Sequence, residues 1–278
     1  MYNQLCHPPY DTYRLNGITI TIVVLILSLV GMIIPVQQLD NITIRVSLTV
    51  VLSILTVSIL VALHITRVID PHIVIKQQID TGDSRLVQIL NDAQHGNSPI
   101  TRHVRNDDTG IIDTLHYCRE CSIWRSSTTF HCYTCNYCVV GFDHHCGVIG
   151  ACIGEYNHRF FTLFLLLCGI SGTLLLTADS IWLIQLIHSK IQWNTSWQVY
   201  VCIVLIIFYS EASLLLIFGV LHSILMLGNS SSKLKFGSRK QPFNFNLHQM
   251  YNNLLCAPIQ LKHDTYVNDI YQQQLSAV

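Results

Sequence analysis

Residues 118–152 read CRECSIWRSSTTFHCYTCNYCVVGFDHHCGVIGAC. This stretch holds seven of the chain's eleven cysteines, three histidines (His131, His144, His145) and the acid Asp143. Clustered cysteines in a reducing compartment point to metal ligands before disulfides. Cys118-x2-Cys121 is a knuckle able to offer two thiolates to one ion, and His131-Cys132-x2-Cys135-x2-Cys138 and Cys152 offer more. A structural zinc takes four nitrogen or sulfur ligands. Seven cysteines and three histidines make ten candidates, two more than two closed sites need. Spacing alone does not choose those two, because Cys132, Cys135 and Cys138 form overlapping Cys-x2-Cys pairs. Chemistry points to Asp143-His144-His145-Cys146: a histidine can take a neighbouring thiol's proton, and an acid can hold that histidine in the right tautomer. A thiolate is the nucleophile, and nearby zinc or imidazolium lowers its pKa. His144 and Cys146 are the natural remainder.

Around this module the chain is apolar. Half of the 278 residues are hydrophobic and 12% are charged, against about 25% charged in soluble domains. The zero formal charge argues against a nucleic-acid partner, which calls for a basic excess. Four apolar blocks, 17–36, 46–66, 160–187 and 199–227, are each long enough to cross a hydrocarbon core of about 30 Å. The first lacks the basic n-region and cleavage site of a secretory signal. Fourteen of the sixteen Lys and Arg fall outside the two short loops, which carry only Arg45 and Lys190. The positive-inside rule therefore places both termini and the central loop in the cytosol. The sequons Asn41-Ile42-Thr43 and Asn194-Thr195-Ser196 fall in the short, luminal loops.

The expected organisation is an all-α polytopic membrane protein with a cytosolic two-zinc domain between its second and third helices. Its segments are a cytosolic N-terminus (1–16), a transmembrane hairpin (17–66), a linker (67–110), the cysteine-rich domain (111–159), a second hairpin (160–227) and a cytosolic tail (228–278). Two acids lie in the later spans. Glu211 is expected to face the bundle interior and make a helix–helix hydrogen bond, while Asp179, nearer the luminal end, carries less weight. His222 reads as a packing residue. Gly169, Ser171 and Gly172 admit two readings, a roomy tunnel or close helix packing.

The module resembles the cysteine-rich domain of the DHHC family of protein S-acyltransferases. It matches Cys-x2-Cys-x9-His-Cys-x2-Cys-x2-Cys-x4-Asp-His-His-Cys-x5-Cys without a gap and continues through Gly154-x2-Asn157 and Phe160. The resemblance implies one zinc on Cys118, Cys121, His131 and Cys138 and a second on Cys132, Cys135, His145 and Cys152. It leaves Asp143, His144 and Cys146 as the catalytic group. It also implies a protein-cysteine S-palmitoyltransferase: acyl-CoA is the co-substrate, Cys146 carries the acyl group, and cysteines of membrane-associated proteins receive it. The implied location is the endoplasmic reticulum or Golgi. By position, Arg125 and Arg159 are candidates for the CoA phosphates.

The match weakens around this core. Pro-Trp-x-Asn-Asn after the nucleophile becomes Gly147-Val148-Ile149-Gly150-Ala151, and Asp-Pro-Gly after the second span becomes Asp70-Pro71-His72. The upstream Pro-x-Arg becomes Ser126-Ser127-Thr128, and Thr-Thr-x-Glu becomes Ser230-Ser231-Ser232-Lys233, where Ser231 is placed to support Asp143. These departures bear on substrate choice and rate more than on reaction type. They also motivate the alternative, a weak or inactive zinc-bound membrane scaffold or adaptor. That alternative leaves the Asp143, His144 and Cys146 set without a use. A cross-brace ubiquitin ligase has no use for Asp-His-His-Cys, and a transporter would need paired intramembrane charges.

Overall fold

The computed structural model describes residues 10–74, 101–105, 112–121, 123–188 and 197–227. Four long helices dominate it: α1 (Tyr10–Ile33), α2 (Ile42–Val68), α3 (His158–His188) and α4 (Trp197–Leu227). All four are long and apolar enough to cross a membrane. Each runs past the expected apolar block at one or both ends. α1 starts seven residues early, at Tyr10, just after Pro8-Pro9; the chain beyond proline can enter a helix without a lost hydrogen bond. A 3-10 turn over Val36–Gln38 links α1 to α2. Asn41 caps α2, its side chain accepting from the N–H groups of Thr43 at 2.9 Å and Ile44 at 3.2 Å. The sequon at Asn194, expected to be luminal, and the tail from residue 228 lie outside the described residues.

The expectation of an all-α fold needs correcting. Seven short strands occupy the cysteine-rich stretch and its approach: β1 (Thr101–Arg105), β2 (Ile112–Cys118), β3 (Ile123–Arg125), β4 (Phe130–Cys132), β5 (Tyr137–Val139), β6 (His144–Cys146) and β7 (Ala151–Ile153). They form antiparallel sheets β1-β2-β3, β4-β5 and β6-β7. The physical reason lies in the ligand spacing. A Cys-x2-Cys pair turns the chain tightly enough that the flanking residues run antiparallel and pair. At Cys132–Cys135 the turn is closed by Asn136 N–H donating to the Cys132 carbonyl at 2.7 Å, with Asn136 at φ 57°, a conformation asparagine tolerates better than most residues.

Small residues bring α3 and α4 together. A Cβ on Gly169 would overlap the backbone of Leu216, and one on Gly172 would stand 2.7 Å from the Ala212 Cβ. Close packing is therefore the work of these glycines, and the roomy-tunnel reading falls. The two acids are also placed differently from expectation. Glu211 points outward on α4, whereas Asp179 is fully buried and accepts from the Cys202 thiol at 3.3 Å. Glycine and serine positions decide which face of each helix is inward, and position 211 falls on the other side.

The cysteine-rich domain is seated on the end of α2. Asp70 accepts from the N–H groups of His72 and Ile73 at 2.8 and 2.9 Å, which turns the chain sharply at Pro71. His72, where the family has glycine, takes φ 78° and stacks on Tyr156 with centroids 4.1 Å apart. Val74 N–H then donates to the Cys138 carbonyl, and Val140 N–H to that of His72. Gly154 lies so close to the Pro71 carbonyl that a Cβ there would clash. Asn157, wholly buried, donates to the carbonyls of Thr66 and Cys152 and accepts from Gly154 N–H. One side chain thus joins α2, β7 and the start of α3.

Candidate active site and metal centres

Side chains alternate across a strand, and this alternation sorts the ligands. On β4 the neighbours His131 and Cys132 face opposite sides. His131 pairs with Cys138 in register and meets Cys118 and Cys121: its Nδ1 lies 3.6, 3.2 and 3.9 Å from the sulfurs of Cys118, Cys121 and Cys138. Cys132 joins the other group. On β6 and β7, His145 pairs with Cys152, and His145 Nδ1 lies 3.8, 3.3 and 3.6 Å from the sulfurs of Cys132, Cys135 and Cys152. A tetrahedral zinc with Zn–S of about 2.3 Å and Zn–N of about 2.0–2.1 Å would hold sulfur and nitrogen about 3.5 Å apart. Both groups, each of three thiols and one imidazole, bracket that separation, so the residues present fit the ion.

The electrostatics agree with the geometry. Hydrogen bonds from Cys121 and Cys138 drive the Cys118 thiol well below its ordinary pKa, and those from Cys135 and Cys152 do the same to Cys132. Hydrogen bonds to Cys132 and Cys135 push His145 up to about 10. The same hydrogen bonds, with burial, push Cys138 and Cys152 up, so without an ion the thiols of each group share protons; a bound dication would take the place of those protons.

The three residues left over meet at one place. Asp143, 3% exposed, is fixed by its own N–H donating to the Ile153 carbonyl at 2.9 Å. Its Oδ2 accepts from His144 Nδ1 at 2.8 Å, leaving Nε2 as the nitrogen for proton exchange. Burial pulls His144 towards neutrality, but the hydrogen bonds to Asp143 and Cys146 outweigh it and its pKa is pushed up to about 9. Burial raises the Cys146 thiol, and the hydrogen bonds with His144 and the N–H groups of Ile149 and Val148 more than reverse this, leaving it below its ordinary value. The same hydrogen bond thus raises the His144 pKa and lowers that of Cys146, which favours passage of the thiol proton to the imidazole. The altered Gly147–Ala151 segment forms the turn of the β6-β7 hairpin, with Gly150 at φ 75° and its N–H donating to the Cys146 carbonyl. Backbone groups carry these contacts, so they do not depend on which side chains stand at these positions.

Cys146 also borders an apolar cluster that continues into the bundle. Ile20 and Val24 of α1, Ile59 and Leu63 of α2, Phe161 and Leu165 of α3 and Leu215 of α4 belong to it or pack against it. Arg125, a candidate for CoA, donates to the Thr129 carbonyl at 3.0 Å and lies 6.0 Å from the Phe130 centroid. Its charge lowers Cys118, so it serves the first metal group. Arg159 lies 4.8 Å from the Phe160 centroid, in the first turn of α3. Ser231 lies outside the described residues. The sequence reading missed His158 and His222 as neighbours of the site. His158 Nε2 lies 2.9 Å from His222 Nδ1, itself 3.9 Å from Asp143 Oδ2. Only their spacing from the apolar blocks, at the ends of two spans, hinted at a shared depth.

Residues 111–236 match the family model for the DHHC palmitoyltransferase. This stretch, just under half of the chain, is similar to the DHHC palmitoyltransferase family. Among its relatives are palmitoyltransferase PFA3 of Debaryomyces hansenii, 43% identical over 53 residues (19% of this chain, 13% of the relative), and palmitoyltransferase ERF2 of Eremothecium gossypii, 43% over 63 residues (23% and 17%). A longer match, 33% over 126 residues (43% and 27%), is to the probable protein S-acyltransferase 7 of Arabidopsis thaliana. The aligned stretch thus spans less than a third of each of these relatives.

Proposed function

We propose that the chain is a protein S-acyltransferase that moves a fatty acyl group, palmitoyl by the family's name, from acyl-CoA to cysteines of membrane-associated proteins. The observation that carries it is the Asp143–His144–Cys146 set, built as a polarised thiolate at the edge of an apolar cluster drawn from four helices. Asp143 orients His144, and His144 accepts the Cys146 proton. The thiolate attacks the thioester carbon; the carbon–sulfur bond to CoA breaks, and the CoA sulfur leaves as the thiol with the proton from His144. A substrate cysteine, deprotonated by the now neutral His144, attacks the acyl-Cys146 thioester, and Cys146 leaves as thiolate. One thioester replaces another at each step, so no nucleotide energy is needed.

The eight remaining cysteine and histidine ligands are read as holding two zinc ions whose role is structural. They would fasten the catalytic hairpin to the membrane surface, a domain of this size having little core of its own. The fatty chain is read as lying along the apolar cluster, with the domain of residues 111–159 and both termini in the cytosol and the protein in the endoplasmic reticulum or Golgi. The weak-scaffold alternative gains nothing from the site: a scaffold needs the eight ligands, and the hydrogen-bonded trio would serve no purpose.

The test is labelling of the full chain in detergent or membranes with an alkyne-tagged palmitoyl-CoA. A hydroxylamine-sensitive label that vanishes in Cys146→Ala is the expected result. An unlabelled, folded protein with both metal sites filled would overturn the reading.

A further inference from the structure

Behind the catalytic acid lies a third group of metal-ligating side chains. Asp143 from the β5-β6 loop, His158 from the first turn of α3 and His222 from near the end of α4 each place one ligand atom within 4.8 Å of the others. Asp143 and His158 are buried, at 3% and 8% exposure, and the His222 side chain is 12% exposed. This group shares no residue with the two cysteine-rich groups.

We propose that these three residues form an inhibitory site for a zinc-class divalent cation. Its donor set, two imidazoles and one carboxylate, suits zinc and its neighbours and not the hard cations, which prefer oxygen alone. Ligand atoms held about 2.0–2.2 Å from a tetrahedral ion stand about 3.3–3.6 Å apart. The separations of 2.9 Å between the two histidines and 3.9 Å between His222 and Asp143 fall on either side of that value, and His158 lies within 4.8 Å of Asp143, so small side-chain shifts would seat the ion. Three protein ligands leave a fourth position open, unlike the closed four-ligand groups nearby.

The inhibitory consequence rests on the acyl-transfer reading. Asp143 Oδ2 is the atom that holds His144. A dication on that carboxylate displaces the His144 Nδ1 hydrogen bond that orients the ring. His144 is then no longer held against Cys146, and the Cys146 thiol loses its proton acceptor. The site would couple acyl transfer to the local concentration of loosely held metal, and the two structural groups would be indifferent to it because their ions are bound far more tightly.

The experiment uses the full chain in detergent, first treated with a mild chelator and shown to hold two zinc ions. Zinc chloride is then added in equivalents, excess is removed, and metal is counted by mass spectrometry. Three ions per chain are expected for the wild type and two for His158→Phe and for His222→Phe. Cobalt provides the optical check: the third equivalent adds ligand-field bands without thiolate charge-transfer absorption. A wild type that stops at two, or a third ion kept by either folded variant, overturns the site. In the labelling assay the third equivalent lowers the wild-type signal at least tenfold, and the mild chelator restores it. Full labelling at three ions per chain overturns the inhibitory role. Absence of label before any zinc is added counts against the acyl-transfer reading alone, because the metal count stands by itself.

Discussion

His144 and His145 are neighbours on one three-residue strand, yet they belong to different regions held by different physics. His145 looks into the cysteine-rich domain, where three thiols surround its Nδ1. His144 looks towards the helix bundle, where it meets Asp143 at 2.8 Å and the edge of Phe161 at 5.3 Å between centroids. The domain has a small core, made largely of its own cysteines, grouped so that they could hold metal. The bundle has no thiol–imidazole group of that kind among the described residues and packs through apolar and small residues. A strand with period two lets one dipeptide serve both.

The sharpest way to break the comparison is to truncate each histidine. His145→Ala should lose at least one zinc and unfold the domain, since the free energy of a structural zinc site is on the order of 10–16 kcal/mol. His144→Ala should keep both ions and lose the acyl label. Metal analysis of the two purified variants decides it: equal zinc content would refute the division. The bundle should respond to a different change. Gly169→Val, which drives a side chain into the Leu216 backbone, should cost about 1–3 kcal/mol or more of stability while the zinc content stays at wild-type level; thermal unfolding in detergent measures it.

The seam between the regions is the next target. Asn157→Ala removes three hydrogen bonds from a fully buried position. The expected loss is about 1–3 kcal/mol for the carbonyl and N–H groups left behind. Acylation should fall more than zinc content, and unchanged stability would show that the seam is looser than its geometry. The smallest expected effect is on the nucleophile's ionisation. His144, raised to about 9, is protonated at pH 7, and the Cys146 thiol is lowered from its ordinary value by its hydrogen bonds with His144 and the Val148 and Ile149 N–H groups. Iodoacetamide should alkylate Cys146 along a pH profile whose midpoint lies below that of an ordinary thiol. His144→Gln removes the positive neighbour, so the midpoint should move up and the rate at pH 7 should fall several-fold. An unshifted midpoint would argue that the backbone N–H groups of Val148 and Ile149 alone hold the thiolate. The wild-type ion pair itself dissolves as pH rises through about 9, where His144 loses its proton.

The four apolar blocks were legible because a span needs only length and the absence of charge. The ligand residues were legible because metal chemistry needs particular atoms at short, repeated spacings, as from Cys132 to Cys138. The strands escaped notice because each is three to seven residues long, and two of the pairings, β2–β3 and β4–β5, are set by Cys-x2-Cys turns more than by apolar alternation. Glu211 and Asp179 show the same limit in the bundle. Both are acids within apolar helices, but the glycines at 169 and 172 set the α3–α4 contact, and that contact leaves one acid outside and buries the other.

By itself the sequence determined the segments long and apolar enough to span a membrane, the ligand and nucleophile residue types of the module and the family that it resembles, since these depend on residue type and on distances along the chain. Tertiary structure alone decided which surface each residue meets. It brought His158 and His222, sixty-four positions apart, within 2.9 Å of each other and set them behind Asp143. It also passed Asn157 between α2 and β7. Such contacts follow from how helices and hairpins pack, and packing is a property of whole surfaces that no short run of residues encodes.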